Sequence, residues 1–254
     1  LFIESTYGDR LPPRDGEPID ELAAILDDAK CCGGNVIIPS FAVGRTQEII
    51  YFLRVIMEER GLDMPIYVDS PLASGATEIY RSHREAFDEE AWELVKEPGG
   101  IFGFRNLHYT ASADESRALN EERGIIIISA SGMADAGRIR HHLKHNLWRP
   151  EAHIVIVGYQ AQGSMGRRLL EGVESVRLFG DEIAVKAHIH EMSGLSAHAD
   201  QEQLLDWASH FQSPRVTFVT HGEPEAALAF SKLLENRLGF KTEVPELNQV
   251  FELE

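Results

Sequence analysis

The sequence predicts an α/β protein whose mainly parallel sheet is flanked by helices, and three observations carry that prediction. Runs such as NVIIP (residues 35–39), GIIIIS (124–129) and AHIVIVG (152–158) are apolar at nearly every position, as strands buried on both faces are. Each run leads into a small or polar loop and then into residues with helical spacing. The unit recurs along the chain, again in MPIYVDSPLASG and RVTFVTHGEPEA, and such alternation builds parallel sheet with helices on its faces. In sheets of this kind ligands bind beyond the carboxyl ends of the strands, where all these loops fall.

In chain order, LFIE reads as a strand and STYGDRLPPRDGEP as a Gly/Pro-rich loop. Over residues 18–30, Ile19, Leu22, Ala23, Ile25, Leu26 and Ala29 recur at helical spacing, and Cys32-Gly33-Gly34 ends that helix. A strand at 35–39, the loop SFAVGR and a helix over 46–59 follow. The next helix runs through Tyr80, and another covers 88–96. EPGGIFGFRNLHYTAS (97–112) reads as an irregular connecting excursion with exposed aromatics. Two further strand–helix units end near Leu147 and Glu171, and residues 183–192 read as one strand, less buried than the others. The last unit is a strand at 216–220 and a helix through Leu238.

Composition narrows the function classes. With 254 residues, 43% hydrophobic and 26% charged, the chain has room for one large or two smaller globular domains. No run approaches the roughly 18–20 apolar residues of a membrane span, and no signal peptide is seen, so a soluble, cytoplasmic protein with no membrane partner is expected. The formal charge of −17 excludes a sequence-independent nucleic-acid coat but leaves room for a local basic cleft. The two cysteines, Cys31 and Cys32, are adjacent, which suits neither a disulfide nor a metal site. The chain opens on Leu1 in mid-strand, which points to a segment excised from a longer protein, and Leu253-Glu254 reads as a tag remnant.

Two groups of residues carry chemistry. Gly44-Arg45, Gly137-Arg138 and Gly166-Arg167-Arg168 stand where a loop enters a helix, so that backbone N–H groups and a guanidinium converge on an anion. Arg45, Arg138 and the Ser131-Gly132 loop are the candidate phosphate holders; singly, each arginine reads better as a surface salt-bridge partner, and it is three on one sheet edge that favour a phosphate-rich ligand. The second group is His198 with Asp200 at the mouth of a helix, and His221 just after a strand. His188 and His190, on one face of a strand, read as structural or surface residues, while His141 and His142 face either a cleft or solvent. GYQAQGS has Ser164 and Met165 where a P-loop needs Lys and Ser/Thr, and GLSAH lacks the second glycine of a nucleophile elbow. Nitrogen and oxygen ligands of the kind zinc takes are present, without an HExxH set.

Taken together, ESTYGDR, IPSFAVGRTQEIIYFL, IYVDSPLASGATEIY, SASGMADAGRIRHHLKHNL, VGYQAQGSMGRRLLEG, SGLSAHADQEQLLDW and THGEPEAA resemble the metallo-β-lactamase-fold RNA-processing nucleases of the β-CASP group. These are bacterial and archaeal relatives of the eukaryotic mRNA 3′-end cleavage factor. The resemblance runs in order over nearly the whole chain. It implies that Glu4 and His198 are a catalytic pair, with His198 the general acid for the leaving oxygen, and that His221 is a ligand of one of two zinc ions. A carboxylate beside an imidazole orients it, which suits proton delivery. The HxHxDH motif that supplies most zinc ligands in that group does not occur in these 254 residues.

The resemblance also sets expected boundaries. Residues 1–10 would end the first metallo-β-lactamase portion, 11–186 would form the β-CASP domain, and 187–252 the C-terminal metallo-β-lactamase portion. The expected function is that of a fragment of a zinc-dependent ribonuclease acting on single-stranded RNA, inactive alone for want of ligands. An exposed apolar sheet edge in the returning portion favours a homodimer. The alternative is an RNA-binding or regulatory module without catalysis.

Overall fold

The computed structural model describes residues 1–11, 16–96, 99–192 and 194–252, so the tag remnant expected at 253–254 lies outside the described residues. In chain order the elements begin with β1 (Phe2–Glu4), α1 (Pro18–Cys32), β2 (Val36–Pro39), α2 (Arg45–Arg60), β3 (Ile66–Val68), α3 (Pro71–Ser82) and α4 (Glu89–Lys96). Next come β4 (Leu107–Tyr109), α5 (Ala113–Ala118), β5 (Ile126–Ser129), α6 (Ile139–Asn146), β6 (His153–Val157) and α7 (Met165–Leu170). The last are β7 (Ser175–Leu178), β8 (Asp181–Ala184), β9 (His188–Met192), α8 (Gln201–Ser209), β10 (Thr217–Thr220), α9 (Pro224–Leu238) and β11 (Thr242–Glu243). No described helix is long and apolar enough to cross a membrane.

The chain forms two compact units, one of Gly16–Leu195 and one of Leu1–Asp15 with Ser196–Glu254. The larger holds a six-stranded sheet, all parallel, in the order β4-β3-β5-β2-β6-β9. Its strands read as unbroken apolar runs because both faces are covered. Val36, Ile38, Ile126, Ile128, Val155 and Val157 pack on one side with Leu22 and Leu26 of α1 and Ile49 and Leu53 of α2. Ile37, Ile127, Ile154 and Ile156 pack on the other with Leu143 of α6 and Leu169 of α7. Each such side chain, fully buried, contributes about 1.5–3 kcal/mol. The compact unit runs past the residue-186 boundary expected from sequence because β9 pairs in parallel with β6.

Two expectations are corrected here. Residues 183–192 are not one strand: β8 turns back on β7 as an antiparallel hairpin, and β9 starts anew at the sheet edge. Phe179 and Gly180, both at positive φ (54° and 92°), make the two-residue turn, as hairpin twist requires. The 97–112 excursion contains β4, and its Phe102 and Phe104 are buried rather than exposed. Its carbonyl at Phe102 accepts from the Tyr109 hydroxyl at 3.0 Å, which ties the excursion to that strand.

The smaller unit has a three-stranded parallel sheet, β1-β10-β11, with Ile3, Val219, Leu204 of α8 and Phe230 and Leu234 of α9 in its core. Phe2 and Phe218 stack on the opposite face, at 4.9 Å between centroids.

In the larger unit, His153 and His190 hydrogen-bond through their rings (Nδ1 to Nε2, 3.0 Å), and His188 stacks on His153. Burial, reinforced by His188 and, for His153, by His190 as well, holds both rings below the ordinary imidazole pKa. The unfolded chain therefore takes up protons first, so this stability is complete above the usual value of about 6.5 and is lost as pH falls through the depressed folded values. The urea midpoint should drop on going from pH 7.5 to 5, and His153→Gln should flatten that dependence; an unchanged slope in the variant would contradict it.

Candidate active site

Parallel pairing of β1 with β10 sets Glu4 beside Thr220, one residue before His221. The chain then holds the two segments together with side chains: Ser5 Oγ donates to the Thr220 carbonyl at 2.9 Å, and Gly222 lies so close to Ser5 that a Cβ would meet Ser5 Oγ at 2.3 Å. His221 itself stands at φ 52°, in the left-handed region that side-chain-bearing residues seldom occupy. His198 is brought in by a second closure. Asp200 caps α8, accepting from the Gln203 N–H at 2.9 Å while its own N–H donates to Gln203 Oε1 at 3.1 Å. Residue 200 bridges to Tyr7, and Gln201 Nε2 donates to the Gly8 carbonyl at 2.7 Å.

These closures bring Glu4, His198 and His221 together. His198 Nδ1 lies 2.6 Å from Glu4 Oε2, and the two imidazoles are 5.1 Å apart. An ionised carboxylate only accepts, so Nδ1 carries hydrogen and Nε2 is the ring atom left for proton traffic. Between the three sits Thr6, 2% exposed, which the sequence reading passed over. Its hydroxyl oxygen lies 2.7 Å from Glu4 Oε2, 3.0 Å from the His221 carbonyl oxygen, 3.2 Å from His221 Nδ1 and 3.3 Å from His198 Nδ1; with its proton on the nearest acceptor, Glu4, the oxygen is open to a hydrogen on His221 Nδ1. In that tautomer His221 Nε2 carries no hydrogen. Glu4 and Thr6 are two apart, but Thr6 stands in the turn closed by Gly8 N–H on Ser5 O at 3.0 Å, so strand alternation gave no signal for it.

The phosphate candidates Arg45, Ser131, Gly132 and Arg138 belong to the larger unit, at the carboxyl ends of β2 and β5. Arg45 has a side chain 12% exposed and ion-paired with Glu48, whose carboxyl burial pushes up while Arg45 draws it down. The N–H groups of Arg45 and Thr46 are taken by the carbonyls of Val43 and Phe41, so the mouth of α2 is filled by its own loop. Ser131 and Gly132 form a closed turn, with Ser131 N–H donating to Ala136 O at 3.2 Å and Gly132 O accepting from Gln160 Nε2 at 3.1 Å.

Arg138 is placed differently. Nη1 donates to Asp69 Oδ1 at 2.7 Å and the side chain remains 24% exposed. Asp69 is wholly buried and also accepts from Ser116 Oγ at 2.6 Å, from the Thr110 hydroxyl and from His142 Nε2 at 2.6 Å. Burial opposes its charge, but the hydrogen bonds from His142, Ser116, Thr110 and Arg138 outweigh it and hold the carboxyl well below the usual range. His142 thus faces neither cleft nor solvent; it is buried between Asp69 and Asn120, while His141 is exposed and stacks on Phe179.

Known proteins resemble this chain along its length. A family profile described as Beta-Casp domain matches residues 46–169, and one described as Zn-dependent metallo-hydrolase RNA specificity domain matches 182–245. Ribonuclease TTHA0252 of Thermus thermophilus is 40% identical over 93% of the chain and 54% of its own length. An RNase J-like protein of Methanocaldococcus jannaschii is 33% identical over 96% of the chain and 57% of its own. The transcription termination factor FttA of Pyrococcus horikoshii is 30% identical over 96% and 39%. The chain thus spans about half the length of the first two.

Asp69→Asn should cost about 3–5 kcal/mol of unfolding free energy in urea, because it strands buried donors and an unpaired charge. Thr6→Val should cost about 1–3 kcal/mol and Thr6→Ser much less; equal losses for the two Thr6 variants would assign the site's cohesion to packing rather than to the hydroxyl.

Proposed function

The chain belongs to the β-CASP group of metallo-β-lactamase-fold proteins, and on that premise we propose that it is part of a zinc-dependent ribonuclease hydrolysing phosphodiester bonds in single-stranded RNA. The single observation that carries the reading is the Glu4–His198 hydrogen bond at 2.6 Å with His221 beside it.

The donors fit zinc in kind: a carboxylate oxygen and two imidazole nitrogens lie within 4.8 Å of one another. Glu4 and His198, at 2.6 Å, sit closer than the roughly 3.3 Å between two ligands of one tetrahedral ion, so they serve each other. His221, through Nε2, is the residue that would hold metal. Zinc, when bound, supplies a nucleophilic water at neutral pH and a counter-charge for the phosphate.

The chain's own residues do the rest. Arg138, anchored at Nη1 by Asp69, presents Nε and Nη2 to a phosphate oxygen, beside the Ser131-Gly132 turn. Arg45 joins it only if a phosphate displaces Glu48. His198 delivers a proton from Nε2 to the leaving oxygen, and Glu4, fixed by Thr6, stabilises the imidazolium and keeps its ring in line. A second reading, an RNA-binding or regulatory module without catalysis, is favoured by one observation. Among the described residues, no group of His, Cys, Asp or Glu side chains other than these three lies close enough together to hold a metal, and of these three only His221 is left for it.

These residues alone are expected to retain zinc weakly and to hydrolyse no RNA; elemental analysis finding two tightly held zinc ions per chain would contradict this. In a catalytically active form that includes this chain, His198→Ala should lower the cleavage rate by at least about 100-fold while RNA affinity changes little. Equal loss of cleavage and affinity would make His198 a contact residue and favour the binding module.

A further inference from the structure

We propose that Phe41 is a base-stacking position, seated on Gly132 and presenting the exposed part of its ring to an unpaired nucleobase of the RNA whose phosphate Arg138 holds. The inference rests on the ribonuclease reading above and adds to it how the base, rather than the backbone, is met.

The ring is 49% exposed, in the β2–α2 loop at the carboxyl edge of the larger sheet. An exposed phenylalanine on a loose tip would mean little, but this loop is fixed. The Phe41 carbonyl accepts from Thr46 N–H at 3.2 Å and from Thr46 Oγ1 at 2.7 Å. Gln47 Nε2 donates to the Ala42 carbonyl at 3.2 Å, and its Oε1 accepts from Gly44 N–H at 2.8 Å. Ser40 N–H, before it, donates to Ser129 O of the neighbouring strand at 3.0 Å. The ring is therefore held at the surface by a loop that these bonds tie to α2 and β5.

Gly132 makes the seat. A Cβ there would lie 2.7 Å from Phe41 Cδ2, so any larger residue would displace the ring. Gln160, 4% exposed, pins Gly132 from elsewhere through the 3.1 Å bond to its carbonyl. The turn that carries Gly132 ends in Arg138, so one short segment supports both an aromatic shelf and a partly exposed guanidinium. Single-stranded RNA is recognised by that pairing of groups, with cations on phosphates and rings under splayed bases. Net charge sharpens the argument: on a chain of −17, phosphate attraction is local and fades with salt, whereas stacking does not. Because every base has a π-face, the site should tolerate all four bases.

The test is fluorescence anisotropy with a labelled oligouridylate and an abasic ribose-phosphate oligomer of the same length. Phe41→Ala should weaken oligouridylate binding about tenfold at low and at moderate salt, and leave the abasic oligomer unaffected; Phe41→Trp should retain binding. Arg138→Ala should weaken both oligomers alike and reduce the salt slope. Phe41→Ala changing neither oligomer, or both equally, overturns the inference while leaving the ribonuclease reading in place. Wild-type protein that binds neither oligomer removes that reading, and this inference with it.

Discussion

The hydrogen bond from His198 to Glu4 joins residues 194 positions apart, and the chemistry assigned to the smaller unit depends on it. Neither residue is placed by its own neighbours in sequence. Glu4 is placed by the register of β1 on β10, and His198 by the capped start of α8 and the strip of bonds between residues 7–10 and 200–201. Thr6 then converts proximity into direction. With its proton on Glu4, the hydroxyl oxygen is open to a hydrogen on His221 Nδ1, the tautomer that leaves the lone pair on His221 Nε2. The left-handed backbone of His221 belongs to the same design, in which a tight turn aims a ring at a cost in local conformation.

The larger unit uses a carboxylate in the opposite way. Glu4 is partly exposed, whereas Asp69 is wholly enclosed by donors from three segments, Thr110 after β4, Ser116 of α5, and Arg138 with His142 of α6, and stays charged. Such a centre binds β3, α5 and α6 together at the carboxyl edge of the sheet and leaves Arg138 half anchored, half free. A guanidinium so held loses less freedom on meeting a phosphate than a surface arginine does. Arg45, enclosed and already paired with Glu48, lacks that combination.

The sequence disclosed most of the architecture, since runs such as Ile125 to Ile128 leave little choice but a strand covered on both faces. It failed where local pattern and tertiary environment part. β7 and β8 form a hairpin whose alternation was masked by the charged exposed positions Arg177, Asp181 and Glu182. Phe102 and Phe104 look exposed in a Gly-rich stretch, yet that stretch folds over the core. At the site, Glu4, His198 and His221 were legible through a family likeness, because their spacing alone carries no signal. His142 beside His141 was not: one turn of helix decides which of two adjacent rings is buried, and only the partner Asp69 reveals it.

The central claim is that Glu4 acts through His198 as one proton-delivering unit. A double-mutant cycle on cleavage rate, with Glu4→Gln, His198→Ala and the pair together in a catalytically active form that includes this chain, tests it most directly. The account predicts strong non-additivity, with the double variant as slow as His198→Ala alone. Losses that multiply would mean that the two residues act independently, and would contradict it.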